Sequence, residues 1–192
     1  MVSVDFHEVE VLQSQGNWDE AAELLAQVSL SVQAGGADFL LICTNTMHKV
    51  APQIEASLTI PILHIADATA LELKSNGIAR VGLLGTRFTM EQDFYKGRLS
   101  EQHGIEVLVP DENDRSTVHD IIYNELCLGE VKPESKAAYV EIINTLHAQG
   151  AQAVILGCTE IALLVQQHDT HVPLYDTTEI HAMAAVNYAL KD

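Results

Sequence analysis

The chain has 192 residues, and its 27 acidic and 10 lysine or arginine side chains give a formal net charge of −17. This acidity argues against a nucleic-acid partner, because phosphates require a basic surface, and against an anionic membrane surface. The length suits one domain or two small domains. Hydrophobic residues make up 47% of the chain, which is enough for a substantial core.

The three cysteines point to a reducing compartment, because an odd number without a leader sequence does not suggest a disulfide framework. We find no signal peptide and no apolar run of about 18 residues, so we expect a cytoplasmic protein. The spacing of cysteine and histidine does not match a zinc site, and there is no glycine-rich phosphate loop. We therefore expect no metal site and no nucleotide cofactor held by such a loop.

Strand-like and helix-like segments alternate along the chain. Strands are predicted at 2–6, 39–42, 60–65, 80–84, 105–109, 153–156 and 172–175. Helices are predicted at 17–34, 47–58, 67–76, 90–103, 115–128 and 134–149, after residue 160, and from residue 177 onward. Such alternation is typical of an α/β protein with parallel sheets.

The stretch 39–42 is an unbroken apolar run that ends in a cluster of small polar side chains. A run without alternation predicts a strand buried on both faces, as in the centre of a parallel sheet. Ligands of parallel α/β sheets bind beyond the carboxyl ends of the strands. The residues from Cys43 to Thr46 are therefore expected at a binding site.

The same pattern recurs late in the chain, because residues 34–46 align without gaps on residues 148–160. We interpret this as an internal duplication. The alignment places Cys158 opposite Thr44 and Gly157 opposite Cys43. Because successive strand residues point to opposite faces, Thr44 is the predicted site position and Cys43 its neighbour, predicted to be a core residue.

The second half contains a strand, loop and helix, at about 80–90, that have no counterpart in the first half. Either the halves never matched, or the chain begins inside a longer ancestor, which we favour. The predicted fold is α/β with two pseudo-duplicated domains. Each has a parallel sheet flanked by helices, and the first lacks its first βα unit. The predicted domains are 1–63 plus 175–192, which is discontinuous, and 64–174, with the site between them.

Two monoprotic groups on opposite sides of a carbon atom are what inversion by proton transfer requires. General acids and bases work best with a pKa near the working pH, and a polar or cationic setting lowers a thiol pKa toward that range. A threonine hydroxyl is a much weaker acid, so Thr44 would serve as a proton relay and not as a strong base.

The two duplicated stretches, ending in Cys43-Thr44-Asn45-Thr46-Met47-His48 and Gly157-Cys158-Thr159-Glu160, resemble the signature strands of the aspartate/glutamate racemases. The resemblance extends over essentially the whole chain and is strongest to an L-selective, broad-specificity branch. It implies a cofactor-independent enzyme of two α/β domains that acts as a homodimer on a dicarboxylic amino acid.

Carried over by position, the resemblance makes Cys158 the catalytic thiol and Thr44 the replacement for a second cysteine. It also implies that the substrate's carboxylates and amino group are held by Asn45, Thr46, Thr86, Thr89 and Thr159. Glu160 is also placed among the predicted substrate-binding residues, where it would either orient the thiol or stabilise the first turn of a helix. Two features depart from the family pattern: a glycine-rich N-terminal loop is missing, and Cys127 stands where a lysine is common.

Several of these side chains also have a purely structural interpretation. Thr44, Asn45 and Thr46 could cap the following helix. Cys127 is predicted to be a core residue. The histidines His48, His64 and His181 are interpreted as structural, with carboxylate binding as the alternative. Arg87 is interpreted as a surface charge, with a substrate carboxylate as the alternative partner.

The sequence therefore predicts a racemase of aspartate or glutamate that moves a proton at the α-carbon with the help of a thiol. Two other functions remain open. One is a lyase or isomerase of the same superfamily that uses Cys158 alone on a diacid. The other is a protein that binds such a ligand without catalysis.

Overall fold

The structure, a computed structural model, describes residues 1–191. The helices are α1 Phe6–Gln15, α2 Trp18–Ala34, α3 Ala51–Ala56, α4 Ile65–Ser75, α5 Arg87–Glu91, α6 Asp93–His103, α7 Glu112–Asn124, α8 Pro133–Ala148, α9 Ile161–Leu164 and α10 Thr177–Ala189. The strands are β1 Arg80–Gly85, β2 Glu106–Leu108, β3 Ala153–Gly157 and β4 Leu174–Asp176. Short 3-10 turns lie at Thr46–Val50, Leu126–Leu128 and Gln167–Asp169.

The four strands form one parallel sheet in the order β2-β1-β3-β4. The two central strands, β1 and β3, pair along their length, and the register places Gly85 opposite Gly157 at their carboxyl ends. Helices lie between successive strands, as parallel connections require. The prediction of an α/β fold with a parallel sheet is therefore confirmed.

Successive residues of the central strands supply two separate cores, one on each face of the sheet. Leu84, Val154 and Leu156 pack with helices α7 and α8 in one cluster. Leu83 and Ile155, their neighbours in sequence, pack with α4 and α6 in the other cluster. Burial on both faces explains why these strands read as continuous apolar runs instead of alternating patterns.

Local signals define several helix ends. Helix α7 begins after Asp111, whose side chain accepts a hydrogen bond from the backbone N–H of Asp114. The single helix predicted at 90–103 is wrong, because the extended backbone of Gln92 separates α5 from α6. Helix α6 ends at Gly104, which has a φ of 68° that favours glycine.

The N-terminal part of the chain differs from the prediction. The strand predicted at 2–6 is wrong, because the Asp5 side chain accepts a hydrogen bond from the His7 backbone N–H and caps helix α1 instead. A third core cluster forms where α2 and α3 pack around Leu40, Ile42, Val50 and Ile54.

The predicted central strand at 39–42 and the predicted strand at 60–65 reduce to one isolated parallel bridge between Leu40 and Ile62. Two backbone hydrogen bonds make this bridge, from the Leu40 N–H to Pro61 and from the Leu63 N–H to Leu40. Leu40 and Ile42 are buried, but Phe39 and Leu41 are only partly buried, so burial on both faces is also wrong there. Within residues 1–191 no second strand pairs with this stretch, which leaves it without the neighbours that a strand needs.

Candidate functional site

The carboxyl ends of β1 and β3 meet because both strands end in glycine. A Cβ added to Gly157 would lie 2.8 Å from the Leu84 carbonyl oxygen, and one added to Gly85 would lie 2.9 Å from the Gly157 carbonyl oxygen. Only glycine permits so close an approach of the two backbones. The residues that follow, Thr86 and Cys158, are therefore delivered side by side at the edge of the sheet.

Three threonine hydroxyls form a buried cluster at this edge. The Thr46 hydroxyl lies 3.0 Å from that of Thr86 and 3.4 Å from that of Thr89, and the latter two lie 3.2 Å apart. All three side chains are buried. Thr86 also accepts a hydrogen bond from the backbone N–H of Thr89 at the start of α5. The cluster joins the loop after residue 43 to the end of β1.

Asn45 lies beside this cluster and is almost completely buried, with 2% of the residue exposed. Its amide nitrogen donates to the Thr177 hydroxyl, which in turn donates to the Leu156 carbonyl of β3. The amide oxygen of Asn45 is buried without a hydrogen-bond partner within residues 1–191. An acceptor that is buried and unpaired is unfavourable unless a ligand or water satisfies it.

Thr44 and Cys43 precede this pair on the same loop. Thr44 is partly buried, whereas Cys43 is exposed, so the prediction of Cys43 as a core residue is wrong. Side-chain capping by Asn45 is also wrong, because the 3-10 turn that follows it has no side-chain cap. Within residues 1–191, neither Thr44 nor Thr159 makes a side-chain hydrogen bond to another residue. Both hydroxyls are therefore available to a ligand.

The Cys158 thiol donates a hydrogen bond to the Glu160 carboxylate, with 2.9 Å between sulfur and oxygen. Burial raises the pKa of the Cys158 thiol well above its usual value, and the Glu160 carboxylate raises it further. This direction is opposite to the lowering of a thiol pKa that a polar or cationic setting produces. The resting group is a neutral thiol that carries its proton toward a carboxylate acceptor.

The three histidines named above are buried together beneath the Thr44 loop. The rings of His48 and His64 lie 4.3 Å apart, and those of His48 and His181 lie 6.0 Å apart. Burial lowers the pKa of His48 to about 4 and that of His64 to about 2, and it also lowers that of His181. Neutral imidazoles do not form ion pairs with carboxylates, which supports the structural interpretation.

The hydrogen bonds of His48 assign its protonation pattern. Its Nδ1 lies 2.7 Å from the Thr44 carbonyl oxygen and donates to it, while its Nε2 accepts from the Ile65 N–H at 3.2 Å. His48 thereby connects the Thr44 loop to the first turn of α4. His181 makes a similar connection by donating from Nε2 to the Leu63 carbonyl at 2.7 Å.

One face of α7 borders the site, and none of its residues was among the predicted site residues. Tyr123 lies on this face, and its hydroxyl accepts a hydrogen bond from the Gln13 amide of α1. Burial raises the pKa of Tyr123 to about 12, and the nearby thiols of Cys158 and Cys127 contribute to the increase. Cys127 packs against the adjoining core. The available signal was the repeat of partly exposed Ser116, His119 and Tyr123 along one helix face.

Arg87 also belongs to this border and is not an ordinary surface charge. Its side chain is partly buried and donates from Nη2 to the Ser116 hydroxyl at 2.9 Å. Its backbone N–H donates to His119 Nδ1 at 3.2 Å. The guanidinium, which extends from the first residue of α5, therefore packs against α7.

Two further properties of the described chain bear on function. No three His, Cys, Asp or Glu side chains within residues 1–191 are grouped so that they could hold a metal ion. In the same range, no helix combines the length and the apolar character needed to cross a membrane.

Residues 2–185 match the family model described as Asp/Glu/Hydantoin racemase. The chain therefore belongs to this family, which confirms the resemblance seen in the sequence and makes it a member of a family of isomerases. The match includes every residue of the site described above.

Individual relatives agree with this assignment. A candidate Asp/Glu racemase from Yersinia pestis, known from a crystal structure, is 57% identical, with a TM-score of 0.91 over 98% of this chain and 82% of that one. An aspartate racemase homologue from Pyrococcus horikoshii OT3 is 32% identical, with a TM-score of 0.85 over 99% of this chain and 82% of that one. The broad specificity amino-acid racemase RacX of Bacillus subtilis is 23% identical over 88% of this chain and 72% of its own length.

Proposed function

We propose that the protein racemises an acidic amino acid, aspartate or glutamate, without a cofactor. The observation that carries the proposal is the Cys158 thiol, which follows a glycine-ended central strand and donates its proton toward Glu160. Membership of the family and the descriptions of the relatives as Asp/Glu and aspartate racemases support the choice of substrate.

In the proposed reaction, Cys158 acts on the face from which the L-enantiomer presents its α-proton. The thiol passes its proton to Glu160 and becomes a thiolate, which removes the α-proton of the substrate. The electron pair of the broken C–H bond moves into the α-carboxylate, which becomes an enediolate. This charge requires hydrogen-bond donors around the carboxylate.

Inversion requires a proton on the opposite face, and we propose that the Thr44 hydroxyl relays it from water. Glu160 returns its proton to water, so the protons balance over one turnover. Because a hydroxyl is a poor acid and base, protonation from the Thr44 side is expected to be slower than from the Cys158 side. Exchange of the α-proton of an L-amino acid with solvent should therefore run faster than its inversion.

The remaining site residues are proposed to bind the substrate. Asn45 offers its unpaired amide oxygen to the ammonium group. The hydroxyls of the Thr46, Thr86 and Thr89 cluster, together with Thr159, would donate to the α-carboxylate. We further propose two lobes, 1–63 with 175–192 and 64–174, an N-terminal βα unit lacking from the first lobe, a homodimer, and a cytoplasmic location.

A second candidate function follows from the presence of one thiol, Cys158, among the two proposed proton-transfer groups. A diacid lyase or isomerase could use Cys158 alone, with no relay on the other face. Such an enzyme would change the carbon skeleton or double bonds of a diacid. It would not place solvent hydrogen on the α-carbon of an intact amino acid.

The test is incubation of the protein in D₂O with L- and D-aspartate and with L- and D-glutamate. Mass spectrometry measures deuterium at the α-carbon, and polarimetry measures inversion. We expect deuterium in the L-enantiomers before optical rotation is lost, and neither change with Cys158→Ala. Absence of deuterium in all four amino acids overturns the racemase proposal. Calorimetric binding of aspartate without exchange would instead identify a binding protein.

A further inference from the structure

Buried polar atoms without a hydrogen-bond partner mark two positions at the site. Within residues 1–191, four such side-chain atoms are found: Asn45 Oδ1, Arg80 Nε, Arg87 Nε and Tyr95 Oη. Arg80 Nε lies 3.2 Å from the Glu106 carboxylate, and Tyr95 is adjacent to the Thr69 hydroxyl. The two that remain are an acceptor on Asn45 and a donor on Arg87.

These two residues flank the contact that joins the two parts of the site. Asn45 precedes Thr46, Arg87 follows Thr86, and the hydroxyls of these threonines lie 3.0 Å apart. The pairing of β1 and β3 ends with Gly85 opposite Gly157, so Thr86 and Cys158 are the first residues beyond the paired strands. Arg87 is therefore the second residue after β1, and the proposed catalytic Cys158 is the first residue after β3.

The charge of Arg87 is not balanced by a carboxylate within residues 1–191. The other three arginines each contact one: Arg80 contacts Glu106, Arg98 contacts Asp67, and Arg115 contacts Glu91 and Glu112. Arg87 contacts the neutral Ser116 hydroxyl instead. In a chain with a net charge of −17, a partly buried guanidinium without a carboxylate is ready to bind one from outside.

We propose that Arg87 binds the side-chain carboxylate of the substrate and thereby selects dicarboxylic amino acids. This inference rests on the proposed function and adds the group that distinguishes aspartate and glutamate from their amides. The two unpaired atoms match the two kinds of substrate group, because Asn45 Oδ1 accepts from an ammonium and Arg87 Nε donates to a carboxylate. Ser116 holds the guanidinium in place by accepting from Nη2.

Calorimetry tests the inference, because it does not require turnover. L-aspartate, L-glutamate, L-asparagine and L-glutamine are titrated into the unchanged protein, Arg87→Gln and Arg87→Lys. We expect Arg87→Gln to bind the two acids about 10–100-fold more weakly, the range for a lost charge-assisted hydrogen bond. Its affinity for the two amides should change less than threefold. Arg87→Lys should keep part of the preference for acids.

Arg80→Gln is the matched control, since it removes an arginine at the start of β1, the end of the strand away from the proposed site. It should bind all four ligands like the unchanged protein. Thermal unfolding of each variant shows whether it is folded. If Arg87→Gln does not fold, the binding of acids and amides by Arg87→Lys still tests the inference. The inference is overturned if Arg87→Gln weakens the binding of acids and amides equally, or if it leaves the binding of the acids unaltered. It is also overturned if the unchanged protein binds neither acid.

The outcome is separable from that of the proposed function. Deuterium exchange by the unchanged protein together with unaltered acid binding by Arg87→Gln would reject the role of Arg87 and keep the racemase. Binding of acids that depends on Arg87, without exchange, would keep the role of Arg87 and reject the racemase.

Discussion

The two aligned stretches, 34–46 and 148–160, carry the same sequence pattern and have different structures. Residues 153–157 form β3, which pairs with β1 on one side and β4 on the other. Residues 39–42 make one isolated bridge, to Ile62. The difference teaches that an apolar run supplies the side chains of a buried strand, whereas neighbouring backbones decide whether the strand forms.

The same difference is visible at one pair of aligned positions. Gly157 is enclosed between backbones, while its counterpart Cys43 is exposed. The polar residues after the first stretch nevertheless reach the edge of the sheet. Thr46 contacts Thr86 at the end of β1, and Asn45 donates to Thr177, which donates to the Leu156 carbonyl of β3. The well-ordered second region therefore supports the loop that the first region contributes.

The largest expected effect separates the two proposed proton-transfer groups. Cys158→Ala should reduce α-proton exchange by about 10²–10⁴-fold, the range for loss of a general acid or base. Thr44→Ala should reduce inversion but leave exchange of the L-enantiomer within about tenfold. Thr44→Cys should accelerate exchange with the D-enantiomer. If Cys158→Ala and Thr44→Ala reduced the rate of α-proton exchange in D₂O equally, the proposal that Cys158 is the stronger proton-transfer group would be contradicted.

The histidine group should make the connection between the regions sensitive to acid. The lowered pKa of His48, about 4 when folded and 6.5 when unfolded, means that the unfolded chain binds more protons between these values. The free energy of unfolding should therefore fall on acidification from pH 6.5 to 4, by about 3 kcal/mol from His48. Urea titrations at several pH values measure this slope.

His48→Asn is the matched variant, because its amide has no pKa in this range and can still donate toward Thr44. It should be less stable at pH 7 but show a weaker dependence on pH between 6.5 and 4. If the slope stays the same in this variant, the acid sensitivity arises elsewhere in the protein.

The aligned glycine and cysteine offer a direct test of backbone confinement. Gly157→Ala should lower the free energy of unfolding by about 2 kcal/mol, because its Cβ would lie 2.8 Å from the Leu84 carbonyl oxygen. Cys43→Ala at the aligned position should change stability by less than about 0.5 kcal/mol. Chemical denaturation measures the free energy of unfolding of both variants. Similar losses of stability would show that the backbone at Cys43 is as confined as the backbone at Gly157.

The smallest expected effect concerns the neighbour of the thiol. Glu160→Gln removes a charge that raises the pKa of Cys158, so that pKa should fall. In a Cys43→Ser, Cys127→Ser background, alkylation of Cys158 at pH 8 should then become several-fold faster. Deuterium exchange should become slower, because the proton acceptor is lost. Faster exchange in this variant would exclude Glu160 as the acceptor.

Much of the second region could be predicted from its sequence. The strands at 80–84 and 153–156 were predicted because continuous apolar runs are typical of central parallel strands. Membership of the racemase family was also visible, in the residues that follow Gly157 and Cys43. The division of one predicted helix at Gln92 was missed, since no proline or glycine marks it.

The first region and the electrostatics of the site could not be predicted in the same way. Whether 39–42 becomes a strand depends on partners distant in sequence, and so does the exposure of Cys43. The raised pKa of Cys158 depends on burial and on the position of Glu160 in three dimensions. The role proposed for Arg87 depends on the absence of a contacting carboxylate within residues 1–191, which only folding decides.

The sequence by itself determined the α/β class, the family and the residue types at the site, because periodicity and short motifs are local properties of the chain. Only the tertiary structure decided which apolar run forms a sheet, which protonation state the thiol keeps, and which arginine lacks a carboxylate. Strand pairing, desolvation and charge balance each depend on groups that folding brings together from distant parts of the chain.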